Sequence, residues 1–395
     1  MHSRLHSLFA SVGALGILVG IFFLFLVSHE TVTIPSVPAI ELASTSTNAQ
    51  TASAGVEVAA PVENSQETTT VAPAKTQQNE AKPEITERKS ALPALETKKP
   101  AENEVVRIQN PYPFPPQPTA LLNDSARAAL VNILCTQSTT GAFAKSISGS
   151  GVIIDPRGVI LTNAHVAQYV LLSQDPRINI SCVVRTGAPA TPRWVPEILF
   201  IPSVWVEAHA NEINMTHPLG TGENDYGLLL ITKSIDGSPL ASLFSYLPVD
   251  TREAIGFQDD QVIVASYPTE FIGSAAAQFN LYPVTSITTV KQLLTFANNS
   301  VDLLSLGGVP GAQGGSSGGA AVNAWGFLIG LISTTSEGDT TATRDLRAIT
   351  LSYINRDLAA QTQFDLATIL KGDVFAEAQD FNTRVAPSLI NLYLQ

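Results

Sequence analysis

The hydrophobic pattern divides the chain into three stretches. From Leu8 to Val27 runs an apolar segment, LFASVGALGILVGIFFLFLV, with no charged residue in it. Its twenty residues, rising about 1.5 Å each in a helix, match a hydrocarbon core of about 30 Å. This predicts a transmembrane anchor over 8–27, with residues 1–7 as a cytoplasmic tip. Arg4 precedes the run and Glu30 follows it. The positive-inside rule then places everything after Ser28 on the extracytoplasmic side. The alternative is a cleaved signal peptide, whose apolar core usually spans about 7–15 residues and ends in a small-x-small site. This run is longer and ends FLVSHE. Either reading exports the rest of the chain.

Residues 28–118 have another texture. Ala, Thr, Ser, Glu, Gln, Lys and Pro dominate, and large apolar residues are sparse and without period. Such a segment buries too little surface to offset its chain entropy, which predicts a disordered tether. It ends in PYPFPPQP, residues 111–118, read as a stiff polyproline-like spacer at a domain boundary. The other reading of that stretch is a ligand for a proline-binding module.

Residues 119–395 form the predicted folded domain. GSGVIIDPRGVILTNAHV, RINISCVVR, NDYGLLLITK, QVIVASYP, LYPVTSITTV, SVDLLSL and GFLIGLISTT are short runs rich in Val, Ile, Leu and Thr. Gly, Pro, Asn and Asp punctuate them, which predicts an all-β sandwich or barrel. GVIIDPRGVILT reads as a hairpin turning at DPRG. ARAALVNILCTQ opens the domain as a short helix or directly as a strand. Apolar spacing near the C-terminus predicts one or two helices.

Charge and cysteine content narrow the chemistry. The formal net charge is −12, which disfavours contact with nucleic acid phosphates. The two cysteines, Cys135 and Cys182, make no CxxC pair and no Cys/His cluster, so neither a metal site nor a cofactor is expected. In an exported domain they either form one disulfide or remain two buried thiols.

The glycine-rich stretch Gly311–Ala320 contains G-x-S-G-G at Gly315-Ser316-Ser317-Gly318-Gly319. Acyl transfer needs a nucleophile with open approach and backbone N–H groups aimed at a developing oxyanion. Glycines beside a serine allow both. The same loop also parses as the G-x-S-x-G elbow of α/β-hydrolases, centred on Ser316. That fold requires a histidine after the serine. The histidines are His2, His6, His29, His165, His209 and His217, so none follows the loop. The count removes the elbow and selects Ser317, with its histidine and acid upstream.

His165 lies in SGSGVIIDPRGVILTNAHVAQY. A strand ending T-N-A-H-V after G-S-G-V-I-I-D-x-x-G resembles the histidine segment of chymotrypsin-fold proteases, and most closely their bacterial HtrA-type branch. Asn224-Asp225-Tyr226-Gly227-Leu228 resembles the family's D-x-A-x-L acid segment, with Gly227 at the small position. Asp302, which precedes LLSL, is the rival acid. QVIVASYP, LYPVTSITTV and VDLLSLGGVPGAQGGSSGG extend the similarity over most of residues 129–336.

The resemblance implies a chymotrypsin-like double β-barrel with a C-terminal helix, and a serine endopeptidase acting on polypeptides without cofactor or metal. It implies His165, Asp225 and Ser317 as catalytic residues, and the N–H groups of Gly315 and Ser317 as the oxyanion hole. Gly311 would sit at the base of the S1 pocket, with Ile332, Ser333 and Thr334 as its opposite wall. No acidic residue lies between Gly307 and Gly319, so a small or medium apolar P1 residue is expected. The family's P-G-x-S-G-G is stretched here, since Ala312–Ser316 separate Pro310-Gly311 from Ser317. About sixty residues follow Thr335, too few for the barrel's end and a PDZ domain, so none is expected. Trimeric assembly and a role in quality control of exported proteins are family properties. The competing readings are a membrane-tethered binding module on a decayed protease scaffold, and an esterase using the same serine.

Overall fold

The computed structural model describes residues 110–137, 146–213, 221–253, 255–269, 277–296, 300–309, 314–335 and 344–395. All lie in the second of the two units into which the chain divides, Arg88–Gln395. The expected anchor 8–27, the tether up to residue 109, Pro310, Gly311 and His217 lie outside the described residues. No helix among the described residues is long and apolar enough to cross a membrane.

Two barrel-like antiparallel sheets make up the domain. The first is a closed barrel of β1 (Leu130–Gln137), β2 (Ser146–Asp155), β3 (Val159–Thr162), β4 (Ile180–Thr186), β5 (Thr191–Phe200) and β6 (Gly227–Ser234). Its strand order is β1-β2-β3-β6-β5-β4. The second has seven strands: β7 (Gln261–Ser266), β8 (Val284–Thr289), β9 (Gln292–Leu294), β10 (Leu303–Ser305), β11 (Ala320–Asn323), β12 (Leu328–Thr335) and β13 (Leu346–Thr350). Its order is β8-β7-β11-β12-β13-β10-β9.

The central strands read as unbroken apolar runs because both of their faces are covered. Ile153, Ile160, Leu229 and Ile231 enter one core. Their neighbours Val152, Val159, Leu161, Leu228 and Leu230 enter another, shared with Ile263, Ala320, Val322 and Leu331 of the second sheet. That shared core joins the two sheets. A third core lies within the second sheet, around Val264, Leu304, Ile329 and Ile332. The expected β2–β3 hairpin is present. Gly158, at φ +91°, donates to Asp155 O at 3.0 Å and lets the chain turn where a Cβ would meet Ile231 and Phe244.

The ambiguous opening segment is a helix followed by a strand. Helix α1 (Thr119–Ala129) buries Leu122, Ala126 and Ala129, spaced along one face, and passes into β1. Helices α2 (Ala164–Leu172) and α3 (Ser203–His209) are inserted in the first barrel. After β13 come four helices where one or two were expected: α4 (Leu351–Thr362), α5 (Leu366–Lys371), α6 (Val374–Arg384) and α7 (Ala386–Tyr393). Capping divides them. Thr350, Asp365 and Asp373 each accept from backbone N–H groups at a helix start, and Gln363 ends α4 at φ +67°. The last two helices return to the first barrel, where Phe381, Ala386, Leu389 and Ile390 share a core with Val166 and Ile198.

Two further findings revise the sequence reading. The last residues of the expected tether, 110–118, are bound to the second sheet rather than free. Tyr112 stacks on Phe327 at 4.5 Å and accepts from Asn323 Nδ2 at 2.8 Å. Gln117 donates from its backbone to Ala324 O and from its side chain to Trp325 O. A run of prolines and aromatics has little chain entropy to lose, so docking it against the β11–β12 turn is inexpensive. The second finding settles the cysteines. Cys135 and Cys182 face each other in register on β1 and β4 and are joined as a disulfide.

The bridge closes a loop with a sequence separation of 47. Replacing both cysteines by serine should lower the unfolding free energy by about 2–4 kcal/mol, measured by urea denaturation. An unchanged midpoint would show that the bridge adds nothing to stability.

Candidate active site

Strand register brings the histidine and the acid together. Thr162, the last residue of β3, pairs with Gly227, the first of β6. The chain leaves β3 and enters β6 at the same end of the barrel. Asn163 is extended and caps α2, so His165 lies in the first turn of that helix rather than on the strand. Asp225 lies two residues before β6, in a turn where Asn224 has φ +56°. Gly227 is small for a packing reason, since a Cβ there would stand 3.0 Å from the Ala167 Cβ on α2.

Asp225 is 6% exposed and its carboxylate is well bonded. The His165 backbone N–H donates to Oδ1 at 3.0 Å. His165 Nδ1 lies 3.1 Å from Oδ1 and 2.9 Å from Oδ2, and the hydroxyl of Ser333 donates to Oδ2 at 2.8 Å. The Asn163 amide donates to the Asp225 carbonyl at 2.8 Å. Burial opposes the charge on Asp225, but the charge and hydrogen bonds of His165, with that of Ser333, outweigh it and hold the carboxyl below the usual aspartate range. Burial likewise works against a charged His165. The Asp225 charge and hydrogen bond overcome this and raise the imidazole above its usual value. Asp302 is elsewhere, held by Thr295, Ser300, the Phe296 N–H and Arg356.

The serine loop reaches this pair from the second sheet. Ser316 is 2% exposed and accepts from Ser266 Oγ at 3.0 Å, which leaves Ser317 as the accessible serine of the two. Ser317 Oγ donates to the Ser333 carbonyl at 3.2 Å. No hydrogen bond joins it to His165 among the described residues.

The loop is clamped by its carbonyls. Ser150, wholly buried on β2, donates from its backbone to Ser317 O at 2.7 Å and from its hydroxyl to Gly315 O at 2.8 Å. Thr269 donates to Gly314 O from its backbone at 2.7 Å and its hydroxyl at 3.1 Å. Gly319 donates to Ser316 O at 2.9 Å. A trans peptide points its N–H opposite to its C=O. The last two contacts therefore set the directions of the Gly315 and Ser317 N–H groups, which have no acceptor among the described residues. Gly318, at φ +86°, is obligatory because a Cβ would lie 2.0 Å from Ser150 O.

The expected pocket wall is revised in part. Ile332 is 1% exposed and its side chain belongs to the third core, so it contributes backbone rather than a wall. Its carbonyl accepts from Gly318 N at 2.8 Å. Ser333 is turned to Asp225, Thr334 is described only as part of β12, and Gly311 lies outside the described residues. The clamps Ser150 and Thr269 were missed from the sequence, because nothing in GSGV or YPTE distinguishes a serine or threonine facing another loop. Among the described residues no cluster of three His, Cys, Asp or Glu is placed to hold a metal ion.

Residues 149–331, which contain His165, Asp225 and Ser317, match the family model of the trypsin-like peptidase domain. Residues 149–331 thus form a trypsin-like peptidase domain, the domain of a serine endopeptidase. Among solved structures, the HtrA-type protease AlgW with a decapeptide aligns over 62% of this chain and 67% of its own, at 15% identity and a TM-score of 0.41. No curated protein matches the chain.

The His165–Asp225 pair has a defined pH signature. His165 should titrate above ~6.5, so a function requiring neutral imidazole appears as pH rises through that raised value. The pair's contribution to stability through His165 is complete below ~6.5 and is lost as pH rises through the folded-state pKa. Through Asp225 it is present above ~3.9 and is lost as pH falls through the lowered value. NMR titration of the imidazole should give a midpoint above ~6.5 that falls on Asp225→Asn. A midpoint unaffected by that substitution would contradict the coupling.

Separately, Gly318→Ala should unfold or strongly destabilise the domain, by about 3 kcal/mol or more, because the clash is with backbone. A melting temperature within two or three degrees of wild type would show that the loop has room to shift.

Proposed function

We propose that this protein cleaves polypeptides with Ser317 as nucleophile, His165 as general base and acid, and Asp225 as the group that orients and stabilises the imidazolium, on a chymotrypsin-like double-barrel scaffold. The observation that carries the reading is the double contact of Asp225 with His165 N–H and Nδ1, joined through Ser333 to a serine in a glycine-rich loop. Holding Nδ1–H on Asp225 leaves Nε2 as the free acceptor.

For reaction, Ser317 Oγ turns from Ser333 O toward His165 Nε2. Its proton passes to Nε2 as Oγ bonds to the substrate carbonyl carbon. The carbonyl electron pair moves onto oxygen, where the N–H groups of Gly315 and Ser317 stabilise it. Losing one such donor costs about 3 kcal/mol of barrier. The imidazolium then returns its proton to the leaving amine as the C–N bond breaks. Water repeats the sequence on the acyl-enzyme and frees the acid.

The place of action is extracytoplasmic, with the domain tethered to the membrane by residues 8–27. The apolar run and the Cys135–Cys182 disulfide support this reading, since disulfides persist in oxidising compartments. A role in clearing exported proteins, with a small or medium apolar P1 residue, accords with the resemblance and with the absence of acid between Gly307 and Gly319. The second reading is a latent or inactive protease-fold binding module. The bond of Ser317 to Ser333 O, rather than to His165, favours it.

A fluorophosphonate probe separates the two. The full chain should be labelled, and Ser317→Ala and His165→Ala should abolish labelling. An unlabelled wild type favours the binding module, and labelling that survives Ser317→Ala removes Ser317 from the reaction. Cleavage profiling on a peptide library should show Ala, Val or similar residues at P1. A profile dominated by Lys or Arg would overturn the pocket assignment.

A further inference from the structure

We propose that Asp357, on the first C-terminal helix, is a positioning residue for Asp225: it holds the residues on both sides of the acid and thereby sets the Asp225–His165 contact. The inference rests on the triad reading above and adds to it a group from outside the two sheets.

The turn that presents Asp225 is not self-supporting. Asn224 occupies the left-handed region at φ +56°, which is unfavourable for a residue with a side chain. The backbone N–H of Asn224 donates to Tyr353 Oη at 3.1 Å, so helix α4 already touches the turn. Asp357 lies one helical turn further along. It accepts from Tyr226 Oη at 2.7 Å, and with the Asn224 amide nitrogen facing it the carboxylate is reached at 2.9 and 3.1 Å. Residues 224 and 226 are therefore both tied to one carboxylate, and residue 225 lies between them.

The chemistry of Asp357 argues against a merely incidental contact. It makes no ion pair among the described residues, and its neighbour Arg356 pairs with Asp302 and Glu253. Burial raises its pKa, and the hydrogen bonds from Tyr226 and Gln361 only partly offset this. Arg356 acts on it only through its charge, without pairing, so the half-buried carboxylate relies on neutral donors. Two of its three donors flank the triad acid, and the third, Gln361 at 2.6 Å, lies one turn along the same helix. Tyr226 is fully buried and stacks near Phe200 at 6.1 Å, so its ring cannot follow a loosened turn without disturbing the barrel. Loss of Asp357 should therefore be felt in the backbone at 224–226. That backbone aims the carboxylate at both the N–H and Nδ1 of His165.

The test uses the full chain carrying Asp357→Ala, Tyr226→Phe or both. The first readout is NMR titration of His165 in a Ser317→Ala background, which needs no activity. Asp357→Ala should lower the His165 pKa by about half to one unit, a 3- to 10-fold loss of proton affinity. Tyr226→Phe should lower it by a smaller amount. The double variant should match Asp357→Ala alone, because both act through one contact. In otherwise wild-type chain, kcat should fall roughly 10-fold with KM changed by less than about 2-fold. A His165 pKa unmoved by Asp357→Ala, whatever happens to the melting temperature, overturns the proposal, as does strict additivity in the double variant. If Asp357→Ala does not fold, Tyr226→Phe decides: a lowered His165 pKa supports the proposal and an unmoved one overturns it. Failure of the triad reading would appear as loss of fluorophosphonate labelling in wild type, while the titration would still report the coupling.

Discussion

An aspartate held ionised in a nearly dry position is the constraint on which the rest of this domain depends. Asp225 is 6% exposed, and a carboxylate there is tolerable only if donors replace water. The first barrel supplies two of them, the N–H and Nδ1 of His165. The second sheet supplies the third through Ser333. The acid is therefore a joint between the two sheets as well as a member of the site. The pairing of β3 with β6 and the extended cap at Asn163 serve its placement.

The second sheet answers with a loop fitted against the first at van der Waals limits. Ser150 reaches across to two carbonyls of the serine loop, and Gly318 passes so near it that no side chain fits. Such a seam trades sequence freedom for fixed peptide orientation. The N–H groups of Gly315 and Ser317 are aimed by what holds the opposite ends of their peptides. Ser317 itself is the adjustable element, resting on Ser333 O. Ser333 thus touches both the acid and the serine, and joins the two halves of the site through one residue of β12.

The periphery is more engaged than a simple two-sheet domain requires. The C-terminal helices leave the second sheet, grip the Asp225 turn from α4, and finish in the core of the first barrel. The segment before α1 is docked on the β11–β12 turn through Tyr112 and Gln117. Both ends of the described chain therefore brace the sheets that carry the site.

Local pattern was enough to recognise the all-β domain and the hairpin at DPRG, and with the family resemblance it singled out His165, Asp225 and Ser317, of which the structure bonds the first two to each other. Strand periodicity and turn chemistry are short-range properties, and counting histidines excluded an alternative order outright. The sequence could not say whether Cys135 and Cys182 bond, because that depends on the β1–β4 register. It misjudged residues 110–118 and the number of C-terminal helices, because docking onto a distant turn and capping by Thr350, Asp365 and Asp373 act through geometry rather than composition. Ile332 looked like a pocket wall until the pleat turned it into a core. Ser150, Thr269 and Asp357 left no local mark at all, and Ser333, expected in the pocket wall, gave no sign of its bonds to Asp225 and Ser317. The partners of their side chains lie from 45 to 165 positions away along the chain, except for the Gln361 bond of Asp357, and only folding brings such polar groups into contact.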